Sequence, residues 1–193
     1  FVPFGTQEVA ATRYRVFQYL PYLSCQNIKH KVFSSVSKFT TRQMIQSPNF
    51  KGIRKQIYYL QVVSEKMLRF WAILFLAARY KIVFIQRTTF PFGLERLLKM
   101  VNKNIIFDMD DSIYMPDKEE RGITGWLKRY MKKNEVLSIL RVSRCVIAEN
   151  NHIKNFVKPY CKDIHIITGP IDTAKNFVRE NKKDREALTI GWI

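Results

Sequence analysis

The stretch "NIIFDMDDSIY", Asn104 to Tyr114, decides how the rest of the chain is read. Its first half is a short, continuous apolar run. Its second half packs Asp108, Asp110 and Asp111 into four positions. An apolar run of that length, bounded by polar residues, reads as a strand buried on both faces, as in parallel sheets covered by helices. The acids then fall at the carboxyl end of the strand, where open α/β sheets bind their ligands. Three roles fit the cluster: the carboxylates of a phosphatase, the floor of a sugar-binding cleft, or a turn in which Asp111 or Ser112 caps the local backbone.

Working outward, the same pattern recurs. Residues 81–87 ("KIVFIQR"), 144–150 ("RCVIAEN") and 163–168 ("DIHIIT") read as further strands, residues 30–36 ("HKVFSSV") as another, and 1–3 as the tail of a first. Between them lie helical stretches. In 8–23, Val9, Val16, Tyr19, Leu20 and Leu23 recur at helical spacing, and a long helix is expected over about 53–79. Others are expected over 91–101, 117–140 and 152–160. Strands alternating with helices predict an α/β fold with a doubly wound, Rossmann-like parallel sheet. The polar residues at the strand ends (Gly5, Gln86-Arg87, 108–112, Glu149-Asn150 and 169–172) then share one edge of that sheet. The charged stretch 180–186 reads as a linker that separates a domain over 1–179 from the start of a second at 187–193.

Composition narrows the class. A chain of 193 residues that is 47% hydrophobic has ample material for a core, which excludes a disordered chain. Lys and Arg outnumber Asp and Glu by 33 to 16, a net charge of +17, and imply an anionic partner. No zinc spacing or RNA-binding signature is present, so an anionic membrane face is expected rather than nucleic acid. The apolar run between Arg69 and Arg79 falls well short of the about 20 residues a spanning helix needs. A core helix is the first reading there and a helix lying on a membrane surface the second. Cys25, Cys145 and Cys161 have no metal-type spacing and read as free thiols in a reducing compartment. No metal site is expected from the three histidines either.

The strand-end residues are the candidates for chemistry. Asp108 and Asp110 resemble the Asp-x-Asp of haloacid-dehalogenase-type phosphatases, in which the first attacks phosphorus and the second acts as acid and base. That motif normally lies on the first strand of its domain, whereas here two βα units precede it. Gly5 lies where a first strand meets a first helix and would let backbone amides approach a phosphate. Arg13 and Arg15 lie on that helix, facing either an anion or solvent. Glu149 and Asn150 suit ligand contact or the cap of the next helix.

Four stretches together resemble the N-terminal half of family-4 glycosyltransferases of the GT-B fold: "TRYRVFQYLPYL" (12–23), "KIVFIQRTTFPFG" (81–93), "NIIFDMDDSIY" (104–114) and "CVIAENNHIKNFVKPYCKDIHIITGPIDTAKNF" (145–177). "LTIGWI" (188–193) is similar to the opening strand of that family's second domain. The resemblance implies a cleft between two Rossmann-like halves, a nucleotide-diphosphate sugar as donor held mainly by the second half, and no cofactor or metal. It implies a glycan or lipid-linked acceptor, and a cytoplasmic location at the inner face of the cell membrane. It further implies that Asp110 or Asp111 orients or deprotonates the acceptor hydroxyl, and that Arg87, Asp108, Glu149, Asn150 and Asp172 line the cleft. Gly5 and Arg13 would lie near the donor phosphates. The family's glycine-rich first loop is reduced here to Gly5, and the fragment by itself is expected to be inactive; besides the phosphatase, the alternative reading is a non-catalytic glycan- or membrane-binding module.

Overall fold

The computed structural model describes the backbone at 1–46, 50, 52–114 and 123–169, with side chains at all of these except 46 and 123–131. Asp172, the expected linker 180–186 and the expected second-domain start 187–193 lie outside the described residues.

The elements run β1 (Val2–Pro3), α1 (Ala10–Arg15), a 3₁₀ turn (Phe17–Tyr19), α2 (Leu20–Cys25), α3 (Lys38–Gln46) and α4 (Gly52–Ala77). They continue with β2 (Val83–Gln86), a 3₁₀ turn (Pro91–Gly93), α5 (Glu95–Val101), β3 (Ile105–Met109), α6 (Ile123–Val142), β4 (Cys145–Ala148), α7 (Asn151–Val157) and β5 (Ile164–Ile166). The strands form one all-parallel sheet in the order β1-β2-β3-β4-β5, flanked by helices. The α/β, Rossmann-like class expected from the sequence is therefore what the chain adopts.

The expected strand over 30–36 is more subtle. Its backbone runs beside β1 with the spacing of a parallel ladder: the Phe1 amine donates to Lys31 O at 2.8 Å, Phe33 N to Phe1 O at 2.9 Å, and Ser35 N to Pro3 O at 2.9 Å. One rung is missing, because Pro3 has no N–H to give to Phe33 O. Counting this segment, chain order across the sheet reverses beside β1, which makes the gap between β1 and β2 the topological switch point.

Register sorts the side chains onto two faces. Val2, Ile85, Phe107 and Val146 lie in line across the sheet, and so do Val83 and Ile105, and Met109 and Ala148. With Phe70, Ile73 and Ala77 of α4, Leu98 of α5, Val136, Ile139 and Leu140 of α6 and Ile153 and Val157 of α7 they form the core. The opposite face carries Phe84, Ile106 and Ile147, all only half-buried, and at its carboxyl end Gln86 and Asp108, which α1 covers.

Two helices depart from the sequence reading. The 8–23 segment is not one helix: Val16 has φ −130°, and Pro21 starts a new helix because its fixed φ suits a first turn while its missing N–H cannot continue an old one. α3 was not anticipated. Its start is marked by Ser37, whose hydroxyl accepts from Thr40 N at 3.3 Å as an N-cap. α4 turns Tyr58, Phe70, Ile73 and Ala77 inward. Ile53, Ile57 and Leu60, then Leu68, Trp71 and Phe75, recur at helical spacings of three, four and eight residues along its outer side, and each is more than half exposed. Among the described residues no helix is long and apolar enough to cross a membrane.

Candidate functional site

The carboxyl ends of β3, β4 and β5 converge on one side chain, Arg15. Its guanidinium grips Asp108 as a fork, Nε to Oδ2 at 3.0 Å and Nη2 to Oδ1 at 2.5 Å. Nη1 donates to Glu149 Oε2 at 2.8 Å and to Ile167 O at 2.9 Å. The other Glu149 oxygen accepts from Gly169 N at 2.7 Å. One arginine thus ties α1 to the ends of β3, β4 and β5. Burial opposes charge on both Arg15 and Asp108. For Arg15 the bonds and charges of Asp108, Glu149 and Asp110 outweigh that penalty and raise its pKa further; for Asp108 burial prevails and its carboxyl is pushed up, with Arg15 pulling it back.

Beside this knot lies a looser group. Gln86, fully buried, accepts from Thr12 Oγ1 at 3.3 Å and Phe4 N at 3.4 Å, and its Nε2 donates to Asp110 Oδ2 at 3.4 Å. The other Asp110 oxygen, Oδ1, is buried with no hydrogen-bond partner. Burial pushes the Asp110 carboxyl above its ordinary value, against the pull of Arg87. Arg87 follows β2 directly with φ 56°, a left-handed conformation that a non-glycine residue holds at a cost of about 1–3 kcal/mol and that clusters at functional sites. Its side chain reaches Asp111 at 2.9 Å and lies over the Phe4 ring. Asp111, at the exposed rim, also accepts from Ser112 N at 2.7 Å, so the acid cluster includes the polar turn that the sequence allowed.

The remaining candidates divide. Asn150 is the N-cap of α7, its side chain accepting from Ile153 N at 3.0 Å. Gly5 has a packing reason: a Cβ there would come within 2.7 Å of Val9 Cγ2 and 3.2 Å of Thr41 Cγ2. Arg13 turns away from the cluster and donates to Gln7 O and Glu8 O at the surface. The arginine that does enter the site is Arg15. The cue for it was the 12, 15, 16 spacing, which sets Arg15 on the same helical stripe as Thr12 and Val16, both fully buried.

Outside this cluster, a cavity of about 340 Å³ is lined by Phe92, Gly93, Glu95, Arg96, Asn134, Glu135 and Ser138. Burial pushes the Glu95 and Glu135 carboxyls up, and it pulls the nearby Lys66 down to about 8. Lys66 donates to Thr89 O at 3.1 Å, while Thr89 Oγ1 donates to Glu135 at 2.8 Å. All three cysteines are free; Cys25 is exposed, Cys145 half-buried and Cys161 buried. Burial, helped by the Asp163 carboxylate, pushes the Cys145 thiol up to about 11. Compared with family profiles, curated proteins and solved structures, the chain matches none.

Proposed function

We propose that the chain is the acceptor-side half of a two-domain glycosyltransferase, with Asp110 taking the proton from the acceptor hydroxyl. The observation that carries this is the division among the acids. Asp108 and Glu149 are committed to Arg15 and Asp111 to Arg87, while Asp110 keeps a buried, unpartnered oxygen beside the switch point. A carboxyl with a raised pKa is the better general base near neutral pH. The phosphatase alternative needs Asp108 as nucleophile, and that residue is 1% exposed with both oxygens bonded to Arg15. In this reading the donor is a nucleotide-diphosphate sugar, and Arg87, bonded to Asp111 at the exposed rim, is one of the residues that would line the cleft.

The outward stripe of α4 supports a location on a membrane face. Six large apolar side chains in line suit shallow insertion at the interface, and the +17 charge favours anionic lipid. Flotation with anionic vesicles tests this: wild type should float at low salt, and Leu68→Glu with Trp71→Glu should not. Failure of the wild type to float removes the membrane partner.

The enzymatic reading is tested by sugar transfer in the longest reading frame that contains this chain, across a series of nucleotide-diphosphate sugars. Asp110→Asn should lower turnover about a hundredfold or more, with the donor KM near wild type. Wild-type turnover by that variant removes the base role. Phosphatase activity with no sugar transfer removes the reading as a whole.

A further inference from the structure

At the opposite end of the sheet, β4 and β5 bring together three side chains that no spacing along the chain connects. Register pairs Ile147 with His165. Two residues earlier on each strand, Cys145 therefore stands opposite Asp163, and all three side chains project from the same face of the sheet. The Cys145 sulfur, an Asp163 oxygen and a His165 ring nitrogen all lie within 4.8 Å of one another. His165 Nε2 and Asp163 Oδ1 are 2.9 Å apart. Asp163, just before β5, and His165 within it are both exposed, so the point on which they converge is open to solvent.

We propose that Cys145, Asp163 and His165 form a binding site for a borderline-soft divalent cation, with Zn²⁺ as the fitting ion. The donor set is one thiolate, one imidazole and one carboxylate, a mixture that suits zinc better than magnesium or calcium, which take oxygen ligands. Three protein donors leave a fourth position for water. Binding transfers the thiol proton of Cys145 to solvent and forms a metal–sulfur bond, with no change of oxidation state. The site is built by pairing two strands, which is why the sequence spacing of the cysteines and histidines predicts none.

The location suggests what the ion does. β5 is only three residues long and ends the described sheet, held on one side by β4. Just beyond it, Ile167 O and Gly169 N take part in the Arg15–Glu149 knot. A cation that clamps the amino end of β5 onto β4 holds the carboxyl end of the same strand against Arg15. The inference stands independently of the glycosyltransferase reading.

Titration of the reduced Cys25→Ser chain with Co²⁺ tests it, because Cys25 is the exposed thiol that would otherwise compete. A near-ultraviolet thiolate-to-cobalt charge-transfer band that saturates at one ion per chain is expected, and Zn²⁺ should displace it and raise Tm. Cys145→Ser should abolish the band. His165→Gln, at an exposed position where folding is not at stake, should weaken binding by about tenfold or more. Absence of the band in the Cys25→Ser chain overturns the proposal. So does a band of undiminished strength in Cys145→Ser, or unchanged affinity in His165→Gln.

Discussion

The two faces of the sheet are held by different physics. On one, Val2, Ile85, Phe107 and Val146 line up under four helices, and almost any apolar shape of the right volume would keep the layer closed. On the other, Gln86 and Asp108 are as deeply buried as the core, yet each depends on named partners from α1. Apolar burial is non-directional and shared among many contacts. A buried charge is directional and depends on one or two bonds, so the face that contributes less apolar burial is the less tolerant of change.

The most severe break in that contrast is Arg15→Ala. It leaves Asp108 buried without its counter-charge and should cost about 3–5 kcal/mol, read as a shift in the urea midpoint. Arg15→Lys should not restore it, because an ammonium cannot reproduce the fork. A loss within the range of ordinary surface substitutions would show that the knot contributes nothing net. Gly5→Ala comes next. Its Cβ would press on Val9 and Thr41, where α3 meets the first loop, and overpacking of this kind costs about 1–3 kcal/mol. An unchanged Tm would mean that Val9 swings clear.

Asp110→Asn sharpens the comparison, because it should stabilise. The folded carboxyl is raised above its unfolded value, chiefly by burial. Its favourable contribution to the wild-type fold is therefore present at acid pH and lost as pH rises through the folded value. The variant has no such loss. Its Tm should match wild type below about pH 4 and exceed it at neutral pH, while sugar transfer falls. A Tm difference independent of pH would break the assignment of a desolvated carboxylate. Smallest of all is Arg13→Ala, two residues from Arg15 but bonded only to exposed carbonyls. It should change stability by no more than about 0.5 kcal/mol.

The pair Arg13 and Arg15 shows where sequence reading stops. Two residues on a helix stand about 200° apart, so the chain itself says that the two arginines face opposite ways. It does not say which faces the sheet. That choice depends on how α1 lies over β3, and α1 ends at Arg15, where Val16 leaves helical geometry at φ −130°. The acid cluster was equally half-legible. Asp108, Asp110 and Asp111 were marked as strand-end residues by the apolar run before them, but their separate fates depend on Arg15, Gln86 and Arg87, each distant in sequence.

Local pattern was enough for the strands, the long helix α4 and the parallel class. Strand burial and helix periodicity are written in consecutive residues, and parallel strands must be joined by crossovers. Tertiary structure alone decided which arginine is buried, which acid keeps a free oxygen and which thiol meets a histidine. Those outcomes depend on register and on the packing of elements far apart in the chain, where a shift of one residue exchanges one face of a strand for the other.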